Sequence, residues 1–153
     1  MTLLRNSIYI EATPERVWAA LARLDALHDI DPGIDKSELL SASPEGVGAS
    51  RHCALRSGGW FRDRVTIWRP HREIEFELFD CTLPVRRLRH HYTLTPERDG
   101  TRVEQQQEYE LKYGPVGALL DRFVVRHKWD AGIKAFFSGL KAFVEATKKG
   151  SSR

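Results

Sequence analysis

From Gly114-Pro115 onward the apolar residues of this 153-residue chain recur at helical spacing, and the stretch before them reads as a train of strands. The stripe runs through Val116, Leu119, Leu120, Phe123, Val124 and Val125, then Trp129, Ile133, Phe136, Phe137, Leu140, Phe143 and Val144. A helix of about 30 residues is about 45 Å long. Inside so short a chain it can bury that stripe only by lying across a sheet. A curved sheet wrapped on such a helix encloses a space, which points to the holding of an apolar small molecule.

Little in the composition competes with that reading. The length fits one domain, expected over 1–149 with a frayed tail at 150–153. No apolar run approaches the roughly 20 residues of a membrane span. Met1 to Arg5 does not open a signal peptide, so the expected location is the cytoplasm. Cys53 and Cys81 are then expected as free thiols. Net charge is +3, spread along the chain. The bases Arg62, Arg64, Arg87, Arg89 and Arg102 face candidate acidic partners in Glu73, Glu75, Glu77, Glu104, Glu108 and Glu110. That mixture describes a solvated outer face and argues against a nucleic-acid partner.

Leu3 to Glu11 reads as a first strand. Thr13 suits a helix N-cap, with Pro14 at the first helical position and Glu15 at the positive end of the helix dipole. Val17, Trp18, Leu21 and Leu24 give that helix one apolar face. A second short helical piece through Leu27 ends before Asp31-Pro32-Gly33. Six strands follow, at 35–42, 50–57, 60–69, 72–82, 86–95 and 101–113. Gly58-Gly59 suits a two-residue hairpin between the second and third of these. Short loops between consecutive strands mean an antiparallel meander.

Alternation assigns the faces. Phe61, Asp63, Val65 and Ile67 are expected inward on one strand, with Trp60 and Trp68 on the other face. Ile74, Phe76 and Leu78 follow on the next strand, and Leu88, His90, Tyr92 and Leu94 on the one after. Val103, Gln105, Gln107, Tyr109 and Leu111 are inward on the last. The misfits are Asp63, His90, Gln105 and Gln107, since polar groups in phase with a buried face need partners. They either bond one another or buried water, or they line a cavity and orient a ligand. On the second reading the space is lined by Asp63, Val65, Ile67, Phe76, Leu78, His90, Tyr92, Gln105, Gln107 and Tyr109 from the sheet. Phe123, His127, Trp129, Ile133 and Phe136 line it from the helix.

Adjacent His90 and His91 point to opposite faces and cannot share a metal. None of the six histidines has metal-ligand spacing, and there is no nucleophile elbow, phosphate loop or dinucleotide fingerprint. No metal and no cofactor are expected. Asp63, His90 and Tyr92 are the candidate proton donors and acceptors, and His127 falls at the edge of the helical stripe. Gly132 and Gly139, inside the helix, mark a bend or a close helix–sheet approach, or make room for a ligand.

Three segments carry a family resemblance. Ser7 to Trp18 contains an entry strand followed by P-x-x-V-W at Pro14, Val17 and Trp18. Trp60 to Phe76 contains Trp68-Arg69-Pro70 before Ile74-Glu75-Phe76. Gly100 to Val103 leads to the strand–helix junction Gly114-Pro115-Val116-Gly117. Together they resemble the START-like superfamily of polyketide cyclase/dehydrase, pollen-allergen-like and lipid-transfer proteins, also called SRPBCC. The resemblance implies an α+β helix-grip fold. In that fold a curved antiparallel sheet of six to seven strands wraps a long C-terminal helix, with two short helices after strand 1. It also implies a deep apolar cavity, and it carries no universal catalytic motif.

Three functions follow from that frame: binding of a lipid, polyketide or other hydrophobic metabolite; cyclase, aromatase or dehydratase chemistry on a polyketide-like substrate; or a protein-interaction module. The last would use an exposed apolar patch around Trp60, Trp68 and Leu83-Pro84-Val85. A monomer or homodimer is expected.

Overall fold

Seven strands form one antiparallel sheet: β1 (Thr2–Ile10), β2 (Ile34–Leu39), β3 (Ser50–Leu55), β4 (Trp60–Arg69), β5 (Glu73–Cys81), β6 (Val85–Glu97) and β7 (Gly100–Leu111). Their spatial order in the computed structural model is β1-β7-β6-β5-β4-β3-β2. The backbone is described for residues 1–151 and side chains for residues 1–146, so the tail expected at 150–153 lies outside the residues whose side chains are described. β1 and β2 occupy opposite edges, and the chain between them must cross the sheet. It does so through α1 (Pro14–Leu21) and a 3-10 helix (Leu24–Asp29). Thr13 caps α1 as expected, its hydroxyl accepting from the Arg16 amide at 3.3 Å. Val17, Trp18, Leu21 and Leu24 are all buried.

The sheet's inner face closes on the C-terminal helix. Ile133, Phe136, Phe137, Leu140 and Val144 are buried against Phe76, Tyr92, Leu94 and Val103 of the sheet. Side chains along the helix fix its position over β1. Asn6 donates to Asp130 at 2.9 Å, and Lys141 donates to the Tyr9 carbonyl at 3.1 Å. This is the helix-grip architecture, with the sheet at seven strands.

Three expectations are corrected by local geometry. The first concerns β4. A bulge at Thr66 breaks the pairing with β5, so that Val65 faces Phe76 but Ile67 faces Glu75 and Trp68 faces Ile74. One inserted residue turns every later side chain over. Ile67 therefore lies on the outer face with Glu75 and His91, and Trp68 turns inward to pack edge-on against Trp18 at 5.0 Å. The second is the hairpin after β3, whose connection spans Arg56–Gly59, with Gly58 and Gly59 both at positive φ (96° and 86°).

The third is the long helix. It comprises α2 (Gly114–Leu120), a π turn (Asp121–Val125) and α3 (Arg126–Ser151). Ahead of α3 the line facing the sheet is Gly117 and Asp121, both buried. Gly117 is placed where an added Cβ would overlap the Lys112 carbonyl oxygen. The apolar stripe is offset from that line, leaving Val116, Leu119, Leu120, Phe123 and Val124 exposed. His127 is exposed as well. A π turn holds more residues per turn than an α-helix, so it lets the buried row of α3 begin in a different phase.

Gly139 meets the turn that follows the 3-10 segment, since an added methyl would overlap the Ile30 carbonyl, whereas Gly132 has open space. Gly139→Ala is expected to destabilise by about 1–3 kcal/mol through overpacking. Gly132→Ala is expected to stabilise by up to about 1 kcal/mol through helix propensity. Denaturant midpoints of the two variants check this, and equal shifts would refute the close approach.

Candidate functional site

Concave-face side chains from β3, β4 and β6 meet in a buried charged cluster. Arg51 Nε donates to Asp63 Oδ1 at 2.9 Å and Arg51 Nη2 to Asp63 Oδ2 at 3.2 Å. His90 Nε2 approaches the same Oδ2 at 3.1 Å. Asp63 is 0% and Arg51 4% exposed. The Arg51 guanidinium also lies 4.2 Å from the Phe76 ring centroid, a cation–π contact. Desolvation alone would push the Asp63 carboxyl up. The Arg51 charge and the His90 hydrogen bond outweigh it and hold the group below the usual carboxylate range. Burial pushes the neighbouring Cys53 thiol up to about 12, so it stays protonated. Cys53 and Cys81 are both free thiols.

Beside this cluster, Gln105 Nε2 donates to the Tyr92 hydroxyl at 3.1 Å. Gln105 Oε1 is buried without a partner. Turning the amide over exchanges which atom is paired and still leaves one unmatched. Desolvation raises the Tyr92 pKa, so its hydroxyl remains a donor. Phe136 closes over Tyr92, ring centroids 5.7 Å apart. Between sheet, α3 and the short helices remains a space of about 10 Å³ lined by residues including Leu21, Leu27, Ile30, Arg51, Tyr92 and Phe136. That is about the size of one water.

The sequence-predicted lining therefore separates into groups. Asp63, Val65, Phe76, His90, Tyr92, Gln105, Ile133 and Phe136 converge on the inner face. Gln107 is buried beside them on β7. Trp129 packs instead on Tyr109 at 4.5 Å. Leu78 lines a separate open hollow of about 380 Å³, with Met1, Arg86, Arg87, Leu88 and Arg89. It lies where β5 and β6 cease to pair beyond Glu77 and Arg89. Ile67 faces outward, and Phe123 and His127 face solvent.

Two residues of this arrangement escaped the sequence reading. Arg51 shares its phase on β3 with buried Cys53, and an inward aspartate requires a countercharge. Both signals were present in the sequence. Asp121 gave none, because it sits among apolar residues. It is buried and accepts from Thr2 Oγ1 at 2.6 Å, from Arg126 Nη2 at 3.1 Å and from the Tyr109 hydroxyl. The expected interaction patch does not form. Val85 is buried, Leu83 and Trp68 pack on the core, and Trp60 is half-buried against His52.

Residues 1–145 match the family described as polyketide cyclase / dehydrase and lipid transport, and the chain belongs to that family. An uncharacterised protein of Mycobacterium tuberculosis is 26% identical over 145 residues, covering 94% of this chain and 85% of its own. Among solved structures, a Thermus thermophilus protein superposes with TM-score 0.81 at 23% identity, covering 95% of this chain and 99% of its own. A START superfamily protein from Mycobacterium smegmatis gives 0.77 at 14%, with 95% and 98% covered. The Zhui aromatase/cyclase of a Streptomyces species gives 0.76 at 15%, with 94% and 93% covered. At these identities the structural likeness establishes the fold. Among the described residues no helix is long and apolar enough to cross a membrane, and no three His, Cys, Asp or Glu side chains cluster to hold a metal ion.

Removing one partner from a buried ion pair leaves an uncompensated charge, so Arg51→Met is expected to destabilise by about 3–5 kcal/mol. The pH dependence follows from the lowered Asp63 pKa. Its contribution is fully present above the unfolded aspartate value of about 4, and is lost as pH falls through the lower folded value. Denaturant midpoints at neutral and acid pH test both statements. An unchanged midpoint in Arg51→Met at neutral pH would contradict the first, and Asp63→Asn should lose less stability on acidification than the parent chain.

Proposed function

We propose that the chain binds one apolar small molecule carrying a polar group, between the inner face of the sheet and α3. The observation that carries this reading is the unmatched buried amide atom of Gln105, whose other amide atom meets the Tyr92 hydroxyl. Tyr92 in turn lines the water-sized space together with Arg51, Arg23 and mostly apolar side chains. Ligand sites combine apolar walls with a few placed polar groups. A ligand oxygen or hydroxyl would complete the amide's hydrogen bonding, and its apolar body would take the place of Phe136 and the Leu21–Leu27 wall. Binding then requires those side chains to move apart, because the ligand-free space is water-sized. Family membership supports the reading, since its description joins lipid transport with cyclase and dehydrase activity.

Organic extraction of the natively purified protein, analysed by mass spectrometry against a denatured control, is expected to release a stoichiometric apolar compound from folded protein only. A protein that yields none, and that also fails to take up a neutral fluorescent naphthylamine, would rule the reading out.

One observation favours a second reading, cyclisation or dehydration of a polyketide-like substrate. Asp63 is locked by Arg51 and so positions His90 through Nε2, leaving the imidazole as the group able to move a proton. On this reading His90→Gln abolishes turnover of a polyketide-like ketone while ligand uptake persists. Under pure binding the parent chain shows no turnover, and the variant leaves ligand uptake unchanged.

A further inference from the structure

The buried line of the C-terminal helix leaves an apolar surface outside the core. Within twelve residues, Tyr113, Val116, Leu119, Leu120, Phe123 and Val124 are all exposed, Phe123 to 66%. Scattered surface apolar residues are ordinary, but five on successive turns of one helical segment, with Tyr113 at its cap, are not. They do not stand alone in charge. Lys112, Arg122 and Lys128 are exposed among and beside them, with Arg126 on the same stretch. The only acidic residue from 112 to 129 is Asp121, which is buried and neutralised by Arg126. At the same end of the molecule the Lys112 amide bonds the Pro84 carbonyl at 3.0 Å, next to exposed Arg87 on β6 and to Arg86, which pairs with Glu110 at 3.6 Å.

We propose that residues 113–124 form a docking face for the surface of an anionic lipid bilayer, with Leu120 and Phe123 entering the acyl boundary and Arg122, Lys128 and Lys112 meeting the headgroups. An amphipathic segment with basic residues on its polar side lies in the interface plane, held by apolar burial together with attraction to anionic lipid. The charge pattern selects this occupant over a second copy of the chain, because self-association through this face would bring the same bases together. The anchor fits the task. Gly117 and Asp121 hold the segment to β7 and to Thr2, so insertion of the outer side chains leaves the core untouched. The proposal is independent of whether the interior holds a ligand.

Co-sedimentation with vesicles of phosphatidylcholine alone, and of equimolar phosphatidylcholine and phosphatidylglycerol, tests it. Binding is expected to the anionic vesicles, at least tenfold weaker to the neutral ones, and weakened by salt. Arg122→Gln and Lys128→Gln are each expected to cost about fivefold in the partition constant. The double variant Leu120→Glu with Phe123→Glu is expected to abolish binding with an unchanged melting temperature, since both side chains are exposed in the folded chain. Failure to sediment with either vesicle overturns the proposal, as does equal binding to both. A dimer that the double variant disperses, seen by analytical ultracentrifugation without vesicle binding, assigns the face to a second copy and overturns it too.

Discussion

A carboxylate with no solvent exposure, at the centre of a curved sheet, is the constraint around which this structure is arranged. Removing such a charge from water costs several kcal/mol per ion. The cost is offset only where geometry is close, and here three strands supply it. Arg51 on β3 lies opposite Asp63 on the paired strand β4, and His90 on β6 reaches the same carboxylate across β5, which itself contributes Phe76 beneath the guanidinium. A register slip in any of these strands would turn one partner to the outer face and strand a charge. Correct strand register is therefore a condition for keeping this carboxylate paired. A hydrophobic replacement of the whole set could be just as stable, and the polar set also places a hydrogen-bonding floor under the space beside α3.

The same logic operates at the far end of the sheet on a smaller scale. Asp121 is the polar pin of the helical segment, accepting from β1, β7 and its own helix. Desolvation would raise its pKa, but hydrogen bonds from Thr2, Tyr109 and Arg126 outweigh that and keep it ionised. Because an acid and a glycine take the two sheet-facing positions, the neighbouring apolar residues have nowhere inside to go. The π turn follows directly and reconciles this polar contact with the apolar contact of α3.

Much of the architecture was legible because it rests on repeating physics. Seven strands, the Thr13 cap, the helical crossing and the long final helix all follow from periodicity and turn chemistry. The convergence of Asp63, His90, Tyr92 and Gln105 followed from alternation alone. What was not legible depends on single insertions into those periods. The bulge at Thr66 reverses the phase of Ile67 and Trp68, and nothing in Val65-Thr66-Ile67-Trp68 announces which β-branched residue will be skipped. The π turn at Asp121–Val125 is the helical equivalent, and it removes Phe123 and His127 from the inner face. Arg51 is a different case, since its charge partner was already assigned inward and the demand for a countercharge sufficed to find it.

The interior also separates two ideas that the fold runs together. A helix-grip frame implies an enclosed space, but the volume of that space is set by side chains, not by topology. Here Phe136 from α3, Tyr92 from β6 and Leu21 and Leu27 from the crossing segment fill it almost completely. Filling by flexible-stemmed leucines and one phenylalanine differs from filling by a rigid polar network, because apolar side chains can be exchanged for a ligand's apolar body with little change in buried surface. The polar floor cannot be exchanged in that way: Asp63 is held by Arg51 and His90, while Gln105 retains an unmatched atom. Selectivity among apolar molecules would then come from the position of one polar group relative to Gln105 and Tyr92, a far sharper discriminator than the shape of the apolar wall.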